Sequence, residues 1–547
     1  MGNAAFVSHQ WVARQHPDPE FRQMSVLQDT LKHLLGSGGH VLLDIATEQH
    51  VRSARPLPTK DFQSRALFVW YDYFSVPQSE HRESHASDNS DGSQQANAIN
   101  SIPAYVAKCK FFLALCPVLD RASEEKVLSP RSWAERGWCR VERAARELSP
   151  DSTWILIQGT TRMELVGTAI SFPSGSVGEG RFTVEEDRQK LAPVMRSILT
   201  HKLMHCLRTR DFPAFRRHLN LQSVHLRGLE IEPVHGVLPN EAPNALSRFL
   251  FQNGLGKVDA SDSAGWWPLH YAALSGNAEV IQGLLELRAS VNQRTAKDEP
   301  GLGIPLWTSA LDLAVLHKHN EAAQVLIAAS ASLEGRLVPA MSAAAAADNA
   351  EGIRLLCEAG GNPLARNFVG LTNLMSAASA HAPAALEELV AQAQPNCLEL
   401  SKALAQAAAF RGGSPELIQR LLDLRADVDY QVVVERDMTL LGQLLVGATS
   451  LQHRVGRRTH LSAWAYHLRG STPLMHAMRS AQYEAAAVLI AAGAKLEIEN
   501  SRGWIAADFA RNSSIPPFLQ QGLAGDPSGC KRLSELAGKD DLIEIRF

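Results

Sequence analysis

GWWPLHYAALSGNAEVIQGLLELRASVN, residues 265–292, reads as one complete helix–turn–helix unit. Pro268-Leu269-His270-Tyr271-Ala272-Ala273 enters and forms a first helix, and Ser275-Gly276-Asn277 makes a tight turn. Val280, Leu284 and Leu285 then give a second helix its apolar stripe, and Ala289-Ser290-Val291-Asn292 leads out of the unit. Two such short helices cannot bury their apolar faces alone. They need neighbours stacked on both sides, so this stretch implies a repeating architecture around it.

Copies follow. Second-helix stretches recur at 278–289, 321–331, 350–361, 383–394, 415–426 and 483–494, each gathering apolar residues at spacings of three and four. Each first helix carries an alanine at one equivalent place: Ala272, Ala314, Ala344, Ala377, Ala407 and Ala477. These alanines lie 42, 30, 33, 30 and 70 residues apart. The 42 reflects a longer connection containing Ala296 to Ile304, and the 70 hides one period plus an insertion, 431–469. Pro268 to Ala273, and again Thr472-Pro473-Leu474-Met475-His476-Ala477, resemble the TPLHxAA signature of ankyrin repeats, whose period is about 33 residues. Trp504 to Ala510 resembles a truncated last copy. The resemblance implies an all-α ankyrin solenoid over 261–513 with about seven repeats, and a tail over 514–547. It also implies that the array takes other proteins as partners on its inner helices and fingers. Trp267, where the signature has its small threonine side, is expected to pack on the preceding connector.

Residues 1–160 have a different texture. Short apolar runs at Ala4–Val7, Ala66–Tyr71, Phe111–Cys116 and Thr153–Ile157 alternate with helical patterns near 21–35, 99–108 and 138–148. That alternation predicts an α/β domain with a parallel sheet, its continuous apolar runs buried as strands. The order resembles the Toll/interleukin-receptor (TIR) module, a flavodoxin-like fold. The carrying pieces are AAFVSHQW, WYDYFSVPQ, AINSIPAYVAKCKFFLALCPV and Gly137-Trp138-Cys139-Arg140-Val141-Glu142, the last similar to the family's WCxxE helix opening. The HxW and PQ pieces are also similar to fungal heterokaryon-incompatibility domains.

The resemblance implies TIR-type self-association. Some members hydrolyse NAD with a glutamate at the start of the helix before the fourth strand. Assigning that helix to 98–108 leaves no carboxylate there, and Glu80 and Glu83 lie in a polar loop. NAD is therefore a cofactor only under an enzyme alternative, and otherwise none is expected. Strand ends are where open α/β sheets place ligands. Ser8, His9, Trp11, Asp72, Gln78, Cys139 and Glu142 consequently form the candidate pocket.

Residues 161–260 read as a helical connector. Ser171 to Gly180 looks like a flexible loop, and 184–207 carries an amphipathic pattern kinked or begun at Pro193. Basic residues between His201 and Arg227 read as a solvated helix pair, since no nucleic-acid motif accompanies them. The insertion combines Arg454, Arg457 and Arg458 with Trp464 and Tyr466. Such a set suits an acidic or phosphorylated peptide; the alternative is a helical elaboration whose aromatic rings pack on the stack.

The remaining features are exclusions. A net charge of −3 over 547 residues gives no global field toward nucleic acid or an anionic membrane. Seven scattered cysteines form no CxxC pair, so neither a disulfide framework nor a metal site is expected, and a reducing, cytoplasmic setting is. MGNAAFVSHQW has no signal-peptide pattern, and Phe6 interrupts the myristoylation pattern. No apolar run reaches the length of a membrane span.

Overall fold

A computed structural model describes residues 3–13, 16–36, 38–75, 94–121, 126–172, 175–234, 244–335, 337–511 and 514–536. Five strands form the N-terminal sheet: β1 (Asn3–His9), β2 (Leu67–Tyr71), β3 (Phe111–Leu115), β4 (Trp154–Gly159) and β5 (Arg162–Val166). Their spatial order is β2-β1-β3-β4-β5. The first four run parallel, while β5 returns antiparallel to β4 as a hairpin. The sheet therefore continues past the boundary expected at 160. Helices α1 (Arg22–Gly36), α2 (Ile45–His50), α3 (Gln94–Lys108), α4 (Pro130–Glu135) and α5 (Gly137–Glu147) complete this unit. The apolar run of β3 is wholly buried, as expected for an interior parallel strand. That of β2 is not: it is an edge strand, and its Phe68 is 63% exposed.

The connector belongs to the same core. Leu191, Met195 and Leu199 of α6 (Glu186–Arg208) pack with Trp133, Trp154 and Val177. Ser171 to Gly180 is correspondingly no loose loop. Among its described residues, Phe172 and Val177 are buried, and glycines permit close backbone approach. A Cβ on Gly178 would meet the Gly228 carbonyl carbon at 2.4 Å, and one on Gly180 would meet the Gly137 Cα at 2.6 Å. Composition signalled a loop; the apolar residues between the glycines decided the packing.

After α7 (Phe212–Asn220) and α8 (Ala245–Gln252), paired helices stack in sequence. They are α9/α10 (Pro268–Ser275, Ala278–Glu286), α11/α12 (Ala310–Leu316, Asn320–Ala328), α13/α14 (Ala340–Ala346, Ala350–Glu358), α15/α16 (Asn373–Ser379, Pro383–Ala393) and α17/α18 (Cys397–Ala409, Pro415–Asp423). The insertion folds as a helical hairpin, α19 (Leu440–Arg454) and α20 (His460–His467), before the pair α21/α22 (Pro473–Arg479, Tyr483–Ala491). Two further helices, α23 (Pro517–Leu523) and α24 (Ser528–Glu535), close the described chain. All six equivalent alanines are fully buried, so neighbouring first helices approach closely. The backbone repeats where the sequence has drifted. Gly276 turns left-handed between its two helices, and Lys318, Asp348, His381 and Ala481 do the same in later units. No described helix is long and apolar enough to cross a membrane.

The two halves are docked. Gln158 Nε2 donates to the Ala481 carbonyl at 3.2 Å, and Arg162 to the Arg479 carbonyl at 2.5 Å. Glu164 pairs with Arg411, Arg131 with Glu416, and Asp120 with Arg532. These partners lie mainly at the turns between paired helices. Thr168 also donates to the Pro300 carbonyl at 2.6 Å, and the Leu461 N–H to Glu48 at 3.3 Å, both on the opposite, finger side. A body that touches both ends of the helices crosses the face between them.

At the junction Trp266, the neighbour of Trp267, contacts the connector. Trp266 is fully buried, lies 5.5 Å from the Tyr271 ring, and has the Arg217 guanidinium 5.6 Å over its face. Trp267 is only half-buried because it stands at the N-cap position, half out of α9.

Candidate functional site

Parallel pairing brings the carboxyl ends of β1 and β2 side by side, with Val7 opposite Tyr71. His9 and Asp72 follow directly. The His9 Nε2 donates to Asp72 Oδ1 at 2.7 Å, and Trp11 Nε1 donates to Asp72 Oδ2 at 2.9 Å. The imidazole stacks on Tyr71 with ring centres 4.2 Å apart. On the other side of β1, Ser8 Oγ donates to Glu142 Oε2 at 2.5 Å and accepts from Trp133 Nε1 at 2.9 Å. Cys139 Sγ lies 3.8 Å from the His9 carbonyl. Six of the seven residues expected from sequence therefore converge: Ser8, His9, Trp11, Asp72, Cys139 and Glu142. Gln78, with Glu80 and Glu83, lies outside the described residues.

The electrostatics separate the two carboxylates. Burial opposes charge on both, but the adjacent His9, Trp11 and the Tyr73 N–H hold Asp72 below its ordinary value. Glu142 has the Ser8 hydroxyl as its donor. Its burial, reinforced by the charge of Asp72, pushes it up to about 8 against the hydrogen bond from Ser8. Burial would lower His9, yet Asp72 and then Glu142 outweigh it and leave the imidazole raised. The site thus sets an Asp72 held below its ordinary value against an imidazole and a Glu142 carboxyl both held above theirs, the kind of split that assigns acid and base roles. Cys139 is not a candidate nucleophile here, because burial and the Glu142 charge push its thiol well up.

Topology also revises one expectation. The helix that feeds the fourth parallel strand is α5, which carries Glu142; α3 feeds the third. The additional strand β5 was missed from sequence, since Gly159-Thr160-Thr161 is not among the strong hairpin dipeptides.

In the insertion, Trp464 is buried against Phe410 and Val434 and cannot read a peptide from there. Tyr466 is half-buried, with the Arg502 guanidinium 4.2 Å and that of Arg454 6.0 Å from its ring centre. Arg454, Arg457 and Arg458 are exposed.

Residues 264–296 match the ankyrin repeat family model. The repeat over these residues is ankyrin-type. Among solved structures, the chain is similar to the human ASB11 ankyrin repeat domain, at 21% identity and a TM-score of 0.34, over 47% of this chain and 97% of that one. No curated protein matches the sequence.

Proposed function

We propose that this chain is a protein-interaction scaffold in which the ankyrin array selects protein partners and the N-terminal unit signals by self-association. Ankyrin arrays bind partners through faces that carry no chemistry of their own. The observation that carries the reading is the docking itself. The N-terminal unit already spans one face of the array, from Ala481 to Pro300, as a protein partner would. A foreign partner then uses the uncovered surfaces or displaces this unit. The sheet order supports a flavodoxin-like, TIR-type reading of the front half. Its edge strand, with Phe68 and Val69 exposed and Phe74 following, suits pairing between copies. Sedimentation of the full chain tests this: association that Phe68→Lys abolishes supports it, and a concentration-independent monomer overturns it. Affinity capture of a defined protein by wild type, strengthened or weakened by Glu164→Lys, tests the array; indifference to that release would count against it.

One observation favours a second reading, a TIR-type enzyme that cleaves NAD. Glu142 occupies the helix before the fourth strand, within hydrogen bonding of a strand-end serine and beside His9–Asp72. A fixed anion at that place would stabilise positive charge developing on a ribose. Because Glu142 is held up to about 8, cleavage would rise with pH through that value. Release of nicotinamide by the full chain, lost in Glu142→Gln, is the expected result. No release between pH 6 and 9 would end this reading.

A further inference from the structure

We propose that the groove between α19 and α20 binds an acidic amphipathic helix of a partner protein, which deepens the scaffold reading and rests on it. One face of α19 lines a cleft of about 720 Å³ with Leu440, Leu444, Gly447, Leu451 and Arg454. Tyr466 and Arg469, with Arg502 of the next finger, form the opposite wall. The positions on α19 follow one helical face, so the wall is a continuous stripe. Yet among the described residues nothing covers it: Leu440 is 79% exposed, Leu444 71% and Leu451 56%. Isolated exposed leucines need no explanation, but a contiguous stripe with a facing wall marks an interaction surface. At its centre, a Cβ on Gly447 would meet nothing within 4 Å, leaving room for a close helix crossing.

The charges select the occupant. Arg454, Arg457 and Arg458 crowd the carboxyl end of α19 and make no ion pair among the described residues. The Tyr466 ring holds Arg454 and Arg502 at the groove. A helix laid antiparallel to α19 brings its own amino end to these arginines. Carboxylates in its first turn would meet them, and acidic residues are favoured there by the helix dipole. Its apolar residues at i, i+3, i+4 and i+7 would enter the leucine stripe.

A second copy of α19 fits less well. Antiparallel pairing would set its arginines against a helix start whose nearby carboxylates are engaged: Glu435 by Arg469, and Asp437 by Lys402, Arg436 and Tyr430. Parallel pairing would oppose arginine to arginine. A lipid surface also fits less well, because the apolar stripe is one side of a cleft walled by Tyr466, Arg469 and Arg502 rather than a flat face, and Glu435 sits on its lining.

The test is selection of displayed random 16-residue peptides on the full chain, counter-selected on Leu444→Asp/Leu451→Asp. Both leucines are exposed, so thermal unfolding of the variant should match wild type. The expected winners carry Asp or Glu in the first turn and apolar residues at helical spacing. A fluorescein-labelled winner should bind wild type, and the leucine variant or Arg454→Glu/Arg502→Glu at least about tenfold more weakly. Winners that bind wild type and leucine variant equally would overturn the groove while leaving the array a scaffold. Enrichment of no peptide would count against both. Co-sedimentation with phosphatidylserine vesicles, or dimerisation abolished by Leu444→Asp, in the absence of selective peptide binding, would assign the surface to a membrane or to a second copy and overturn the proposal.

Discussion

Glu142→Gln should stabilise the N-terminal unit, and by an amount that grows with pH. Glutamine keeps the shape and the capacity to accept from Ser8, but it cannot ionise. In the wild type the folded value is about 8 against an ordinary 4.5. A raised folded value means that the stability is full below 4.5 and is lost as pH rises toward 8. At pH 7 the buried carboxyl stays mostly protonated, and holding that proton costs about 3 kcal/mol relative to the unfolded chain. At pH 4 the cost is close to zero. Urea unfolding, followed through tryptophan fluorescence because Trp133 donates to the same serine, should show the variant gaining about 3 kcal/mol between these two pH values. A pH-independent difference between variant and wild type would refute the reasoning, since it would place the carboxylate in a site that tolerates its charge.

Other perturbations address the rest of the molecule. Glu164→Lys leaves the half-buried Arg411 beside a like charge, which should cost about 3 kcal/mol and expose the connector to protease; adding Arg411→Glu should restore protection. Arginines 411, 162 and 479, with His460, hold Glu164 at about 2 against burial, so acid down to pH 4 should leave this dock intact in small-angle scattering. Trp266→Ala should destabilise the entry repeat by about 3–5 kcal/mol in thermal or urea unfolding, and Trp267→Ala by much less. His225 and His317, lowered to about 4 and 3 by burial, confer stability that is full above pH 6.5 and lost as pH falls toward those values. The urea midpoint should therefore drop below pH 6.5, and less so in His317→Gln.

Much of the fold was legible. The entry unit at 265–292 spelled its two helices and turn, and the buried alanines kept the stack in view where other positions drifted. Strand-end residues could be listed because parallel sheets gather their chemistry at one edge, and Ser8, His9, Trp11, Asp72 and Glu142 do meet there. What could not be read depended on distant partners. The apolar run of β2 cannot say whether a neighbour covers it. Trp266 and Trp267 are adjacent letters, and only the helix start decides which one faces inward. The pairs Arg131–Glu416 and Glu164–Arg411 join residues with no local pattern in common. The place of α5 before the fourth strand required knowing which strands share the sheet.

The bond between Glu164 and Arg411 crosses 247 residues of chain. On a ribosome adding about 5–20 residues per second, the front half waits roughly 10–50 s after its own strands are complete before that arginine emerges. Arg532, the partner of Asp120, arrives later still. Throughout that interval the β4–β5 hairpin presents an uncovered Glu164 to the surrounding water. The charged residues that later fasten the two halves thus also keep the waiting surface hydrated, and early termination anywhere before residue 411 would leave this clasp permanently unmade.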